Sequence, residues 1–342
     1  MKPQNDTNFQ REQSIDLYKG ICVLFVIIHH YTWDDSQTLI LMFPFWVYMA
    51  VPIFLVITGW LSAKRFSEKK LTFLQMYNPK EMLPKWARLI LPAIPVLLLQ
   101  LPIKIFVLQE KETIVDIVKW YLLAGFGPGS YYIFFMLQAV LILPVLWILI
   151  SQKPHFGLII CFSVNVFYEM IKGILNVPNG FYRLFILRNL FILSYGVFLY
   201  VTKEEKKKSS SFLLGILGGF GFIYIIVFNY FGMEPLFTKW WTVTSVFAVL
   251  LILPLMKLLL KTKKLHNKWL ELLGKASYEI FLIQMFYYWF LAEYVYQIIP
   301  TIILQLIVSI TICCIGGLIY YKLESPISSI VVKRIRESKI IA

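Results

Sequence analysis

The chain has 342 residues, of which 59% are hydrophobic and only 15% charged, with a mean hydropathy of +0.71. Soluble domains carry about half apolar residues or fewer, so this composition excludes an ordinary soluble enzyme and requires a polytopic membrane protein. The formal net charge of +14 does not mark a nucleic-acid binder. The Lys and Arg residues cluster in short loops at one end of alternate hydrophobic runs, which is the positive-inside pattern of membrane topology.

In chain order, residues 1–13 (MKPQNDTNFQREQ) are polar, and no small-residue cleavage site follows the first apolar run. That run therefore reads as a retained helix rather than a signal peptide. Ten hydrophobic runs lie near 14–33, 41–63, 88–108, 131–151, 156–171, 184–201, 212–231, 240–260, 272–296 and 300–321. Most approach the ~20 apolar residues that a bilayer core demands of a helix. The fifth is short, and the ninth, which holds Glu279 and Glu293, reads as partly interfacial. The prediction is an all-α integral membrane protein of about ten transmembrane helices.

Loop charge sets the orientation. With residues 1–13 cytoplasmic, the inside segments are KRFSEKK (64–70), TKEEKKK (202–208), KTKKLHNK (261–268) and the tail KRIRESK (333–339). The outside segments are DDSQ (34–37), 109–130, 172–180 and 231–238. Both termini are expected in the cytoplasm. Every loop is short, so the chain is expected to form a single transmembrane domain over 1–342 with no appended soluble domain. No internal repeat of the transporter type is visible. Cys22, Cys161, Cys313 and Cys314 all lie inside hydrophobic runs without metal-ligand spacing, so no metal is expected.

Any chemistry must then come from polar residues at membrane depth, where they are costly and face a cavity or a partner. The stretch KGICVLFVIIHHY (19–31) has a cation at one end and two histidines at the other. Lys19 and His30 stand eleven residues apart, which is about 20° past three whole turns and spans roughly 16 Å of helix. The two side chains therefore share a face, whereas His29, about 100° round the helix, is expected to face elsewhere. Taken alone, Lys19 reads equally well as a snorkelling interfacial cation and His30 as a helix-end hydrogen bonder. In PKWARLILPAIP (84–95), Lys85 and Arg88 are three apart and share a face. They suit an anionic ligand or the topology signal alike. Glu324, just before Pro326, could simply pair with Lys322.

Six phrases in order resemble the acyltransferase 3 family of membrane acyltransferases. The first is RxxxxDxxKGxxxLxVxxxH, met by Arg11, Asp16, Lys19, Gly20 and His30, with Lys19 where Arg is more usual. The others are VPIFLVITGWL (51–61), KWARLILPAIP (85–95), YYIFFMLQAVLILPVL (131–146), LGKASYEIFLIQ (273–284) and LESP (323–326). Gln284 stands where many members have His. The resemblance covers nearly the whole chain.

It implies transfer of an acyl group, commonly acetyl from cytoplasmic acetyl-CoA, to a hydroxyl of an envelope polysaccharide or lipid-linked glycan at the plasma membrane. In that scheme His30 is the general base, a task suited to imidazole near neutral pH. Lys85, Arg88 and Lys19 bind the phosphates of CoA, and Glu324 positions a cation or the CoA moiety. The separation of Glu324 from His30 argues against a direct dyad unless the last helix is tilted or re-entrant. The chief rival is a membrane carrier or flippase. A polysaccharide polymerase is third, because the longest outside segment, 109–130, is modest.

Overall fold

The computed structural model describes residues 13–109, 113–122, 125–203, 208–231, 250 and 268–338. Every regular element among them is helical. Almost all of the predicted run at 240–260 and of the loop at 261–268 lies outside the described residues, as do Arg11 and most of 202–208.

Helix α1 (Gln13–His30) carries Asp16 in its first turn, the sign that a helix dipole favours there, and ends on His29 and His30. The short α2 (Asp35–Ile40) starts on a reciprocal capping box between Asp34 and Gln37. Two 3₁₀ turns, Phe43–Phe45 and Val47–Met49, lead into α3 (Ala50–Glu68). Next come α4 (Phe73–Met76) and α5 (Pro79–Pro102). Helix α5 opens with Asn78 as its cap and Pro79 at the first position, where a missing N–H costs nothing. It ends in a π turn at Ile103–Val107.

The chain continues through α6 (Ile114–Leu122), α7 (Tyr131–Gln152), α8 (Pro154–Ile174) and α9 (Asn179–Leu184). A 3₁₀ turn at Ile186–Asn189 precedes α10 (Leu190–Val201) and α11 (Lys208–Tyr230). Then α12 (Lys268–Lys275) and α13 (Ser277–Phe286) lead into a π turn at Tyr287–Leu291. The short α14 (Ala292–Ile298) and the long α15 (Ile302–Glu337) complete the set.

Among the described residues five segments are long and apolar enough to span a bilayer: Phe43–Glu68, Phe73–Val107, Tyr131–Gln152, Pro154–Ile174 and Ile302–Glu337. The remaining predicted runs differ in form. The first is α1, whose polar residues Asp16, Lys19, His29 and His30 dilute its apolar character. The sixth and seventh contain shorter apolar helices, Ile186–Val201 and Gly218–Tyr230. The ninth is broken into α12, α13, a π turn and α14. The last continues past residue 321 to Glu337 as one helix, about 54 Å long at the helical rise.

Helix α10 can be short because protein surrounds it. Ten of its twelve residues are buried, and they share one apolar core with residues of α3, α7 and α8. A helix that is apolar on every side belongs inside a bundle. Small residues set two of the helix contacts, as is usual where lipid removes the hydrophobic drive for association. A Cβ on Gly59 of α3 would lie 2.2 Å from Leu193 O of α10, and one on Gly196 would lie 2.1 Å from Val56 O. Between α1 and α12 the contact is closer still. A Cβ on Gly20 would meet Leu270 O at 2.1 Å, and one on Gly274 would meet Asp16 O at 1.8 Å. The glycines of the KG and LGK phrases are therefore two sides of one backbone contact.

Helix α5 holds four internal prolines, which disturb its hydrogen-bond ladder. Two carbonyls in that stretch are engaged from the C-terminal helices. Tyr278 of α13 donates to Leu89 O at 2.7 Å, and Tyr320 of α15 donates to Pro92 O at 2.5 Å.

Candidate functional site

A cavity of about 1310 Å³ lies between α1, α3, α5, α7 and the C-terminal helices. Lys19, Val23, Val26 and His30 all line it, at the three- and four-residue steps that place side chains on one helix face. The sequence-predicted residues Lys19, His30, Arg88 and Glu324 are thus brought to one cavity, with Lys19 and His30 roughly 16 Å apart along α1.

At the Lys19 end the wall is made by α5, α12, α13 and α15. Lys19, Arg88 and Lys275 supply cations, and Glu279 and Glu324 supply carboxylates. The Gly20–Gly274 contact carries Lys275, Ser277, Tyr278 and Glu279 to this end, and the Tyr278–Leu89 bond holds α13 beside Arg88. Glu324 accepts a hydrogen bond from Ser328 Oγ, one turn along α15. Lys322, the expected partner, is exposed. Glu324 and Glu279 lie within electrostatic reach of one another, and Glu279 Oε2 is buried without a hydrogen-bond partner.

At the His30 end the backbone is broken. The imidazoles of His29 and His30 have centroids 4.8 Å apart, and His29 meets the Tyr48 ring edge-on at 4.9 Å. Arg183 of α9 is the cation within electrostatic reach of both. Beside them runs the loop GFGPGS (125–130), whose three glycines have φ of 82°, 98° and 89°, conformations that only glycine adopts freely. Gln100 pins this loop: its Oε1 accepts from Phe126 N and its Nε2 donates to Phe126 O, both at 2.9 Å. Phe126 also stacks on Trp289 with centroids 5.1 Å apart. A Cβ on Gly129 would lie 2.9 Å from the Phe281 ring and 3.6 Å from His30 Nε2. The loop is thus a close wall of the His30 pocket.

The opposite wall comes from α8, α9 and the 3₁₀ turn after it. Gln138 of α7 spans the break between α9 and that turn, donating to Leu184 O at 2.6 Å and accepting from Ile186 N at 3.1 Å. Arg188 is buried, its guanidinium carbon 5.2 Å from the Tyr182 ring centroid and 5.7 Å from that of Tyr131. Lys172 Nζ lies 4.8 Å from the Tyr182 centroid, and Tyr182 donates its hydroxyl proton to Glu169.

Several sequence expectations need correction. His29 lines the cavity together with His30, because the cavity is wide where α1 ends and admits residues 100° apart. Lys85 does not line it. Its Nζ is buried without a hydrogen-bond partner, 4.8 Å over the Phe66 ring, because three residues along a helix still turn the side chain by about 60°. Glu279, read as interfacial, is a buried part of the cavity wall. Gln284 is fully buried away from the cavity, with neither amide atom hydrogen-bonded.

Sequence reasoning also missed Lys172, Arg183 and Arg188. A signal existed: these cations cluster in or next to a segment assigned outside, against the positive-inside bias.

A family model described as an acyltransferase domain matches residues 12–321. No significant match is found among curated proteins or solved structures. Of the six phrases that carry the sequence resemblance, only Arg11 and LESP (323–326) fall outside the matched residues. The match takes in most of the chain, which belongs to the acyltransferase 3 family.

Proposed function

We propose that this membrane acyltransferase moves an acyl group, acetyl by default, from a cytoplasmic acyl-CoA to a hydroxyl of a cell-surface or lipid-linked carbohydrate at the plasma membrane. The observation that carries the reading is the cavity that has Lys19, Arg88 and Lys275, with Glu279 and Glu324, at one end and His30 at the other. The Lys19 end is the cytoplasmic donor side. Lys19, Arg88 and Lys275 hold the phosphates of CoA through charge-assisted contacts, while Glu279 and Glu324 offset part of that charge and position the cations. The extended pantetheine arm carries the thioester along α1 toward His30.

There the acceptor hydroxyl attacks the thioester carbonyl and His30 takes its proton as general base. The C–S bond breaks, and the CoA thiolate leaves and is reprotonated. The pinned GFGPGS loop holds the imidazole in place during this step. Lys85 supports the arrangement from outside the cavity wall, as a neighbour of Arg65 and Glu81.

The test is transfer of radiolabel from acetyl-CoA supplied to inverted membrane vesicles. Label in the glycan fraction supports the enzyme. Glycan or small-molecule movement without label would favour a carrier instead. Orientation is checked on intact cells with an impermeant thiol reagent: cysteine in place of exposed Ser36 should react, and cysteine in place of exposed Lys203 should not. Reversed labelling would exchange the donor and acceptor ends.

A further inference from the structure

The two ends of the cavity differ in charge balance. Among the described residues, the carboxylates that line it, Glu279 and Glu324, are at the Lys19 end. At the His30 end the lining contributes Lys172, Arg183 and Arg188. Glu169, which does not line the cavity and accepts from Tyr182, lies within electrostatic reach of Lys172 and Arg188. Among the described lining residues, this end therefore carries three cations and no carboxylate.

Topology does not account for these cations, because on the proposed orientation they stand on the side where Lys and Arg are disfavoured. Nor does a neutral acceptor. Arg188 is only 7% exposed, and a cation withdrawn from water gains most from an oxyanion that can reach it.

We infer that the acceptor is an anionic saccharide, bearing a carboxylate or phosphate close to the hydroxyl that is acylated, and that Lys172, Arg183 and Arg188 form its subsite. This rests on the transfer reading for the word acceptor, but the anion subsite itself can be tested without turnover. The reach of Arg183 to both imidazoles puts the oxyanion on the same sugar as the reacting hydroxyl or on its neighbour. Arg183 and Lys172 are exposed and half-buried respectively, so both can be replaced with little risk to the fold. Arg188 is better left in place.

The experiment uses the full-length protein in phosphatidylcholine nanodiscs, with glucuronic acid, glucose 1-phosphate and methyl glucoside as probes. Affinity is measured by thermal shift at low and at moderate salt. The two anionic probes are expected to bind at least about tenfold more tightly than methyl glucoside, as a charge-assisted contact allows. Salt should weaken that preference. Arg183→Gln and Lys172→Gln should each reduce it, and Arg183→Glu should remove it, with melting temperatures in the absence of probe unchanged.

Equal binding of charged and neutral probes overturns the inference. So does a preference that survives loss of both cations, or displacement of glucuronic acid when phosphatidylglycerol replaces the neutral lipid, which would assign the subsite to a headgroup. Acyl-CoA binding to the unaltered protein is measured in parallel. Its absence, alongside an intact anion preference, would remove the transfer reading while leaving the subsite standing.

Discussion

The Lys19 end and the His30 end of the cavity are built by opposite means. At the Lys19 end, helices lock together by contact, with a single-residue break at Ala276 between α12 and α13. Gly20 and Gly274 let the α1 and α12 backbones touch, and tyrosine hydroxyls from α13 and α15 engage carbonyls of proline-rich α5. At the His30 end the chain is interrupted at the GFGPGS loop and between α9 and α10. Irregular backbone at membrane depth is tolerated only where protein or a water-filled cavity satisfies its polar groups. Two glutamines do so here, Gln100 for Phe126 and Gln138 for Leu184 and Ile186. Helix-to-helix contacts give one end a mixed-charge cradle. On the proposed function, breaks give the other end room for a bulky acceptor and a way to turn cations toward it.

The sharpest way to break this comparison is His30→Ala. Loss of the general base should lower acyl transfer about 10²–10⁴-fold, with acyl-CoA binding retained because the donor's phosphates lie at the far end. His29→Ala should cost less than about tenfold in the same assay. Its ring is exposed and packs edge-on against Tyr48, whereas His30 faces Gly129. Equal losses for the two variants would make them a joint proton relay rather than one base and one wall residue.

Next in size is Arg88→Ala. It should raise the KM for acyl-CoA about 10–100-fold, the equivalent of roughly 1.5–3 kcal/mol for a hydrogen bond to a charged group. Arg88→Lys should recover part of this, since a point charge replaces a two-pronged contact. An unchanged KM in Arg88→Ala protein that accumulates normally would move the phosphate site elsewhere.

The glutamine clamps sharpen the comparison through stability. Gln138→Leu leaves Leu184 O and Ile186 N without their partner and should cost about 1–3 kcal/mol, read as a lower melting temperature. Gln100→Leu should do the same at the other break. Both should impair the acceptor step more than acyl-CoA binding. If either variant weakens the donor instead, the two ends are mechanically coupled.

The smallest effect belongs to Lys85→Met. Its Nζ is turned toward Phe66 and outside the cavity wall, so the KM for acyl-CoA should change by less than about twofold. A loss as large as that of Arg88→Ala would bring Lys85 into the donor site.

Much of the donor end was legible in the residues. Helical periodicity needs no tertiary information to put Lys19 and His30 on one face. The acceptor end was far less legible. Arg183 and Arg188 show in the sequence only as cations beside a segment assigned outside, and the break after α9, held by Gln138 from a helix some fifty residues away, sets Arg188 in the same wall as Arg183. Glu279 sits in a helix that reads as interfacial until Gly274 brings it against α1.

By itself the sequence determined the membrane class, the helical secondary structure, the family and the Lys19–His30 axis, because composition, the 3.6-residue period and motif order are local properties of the chain. Tertiary structure alone decided that Lys85 leaves the cavity while His29 enters it, that Glu279 joins Glu324, and that three cations gather opposite them. Those outcomes depend on where prolines, glycines and glutamine clamps bend and join distant helices, and no pattern along one helix encodes the position of its neighbour.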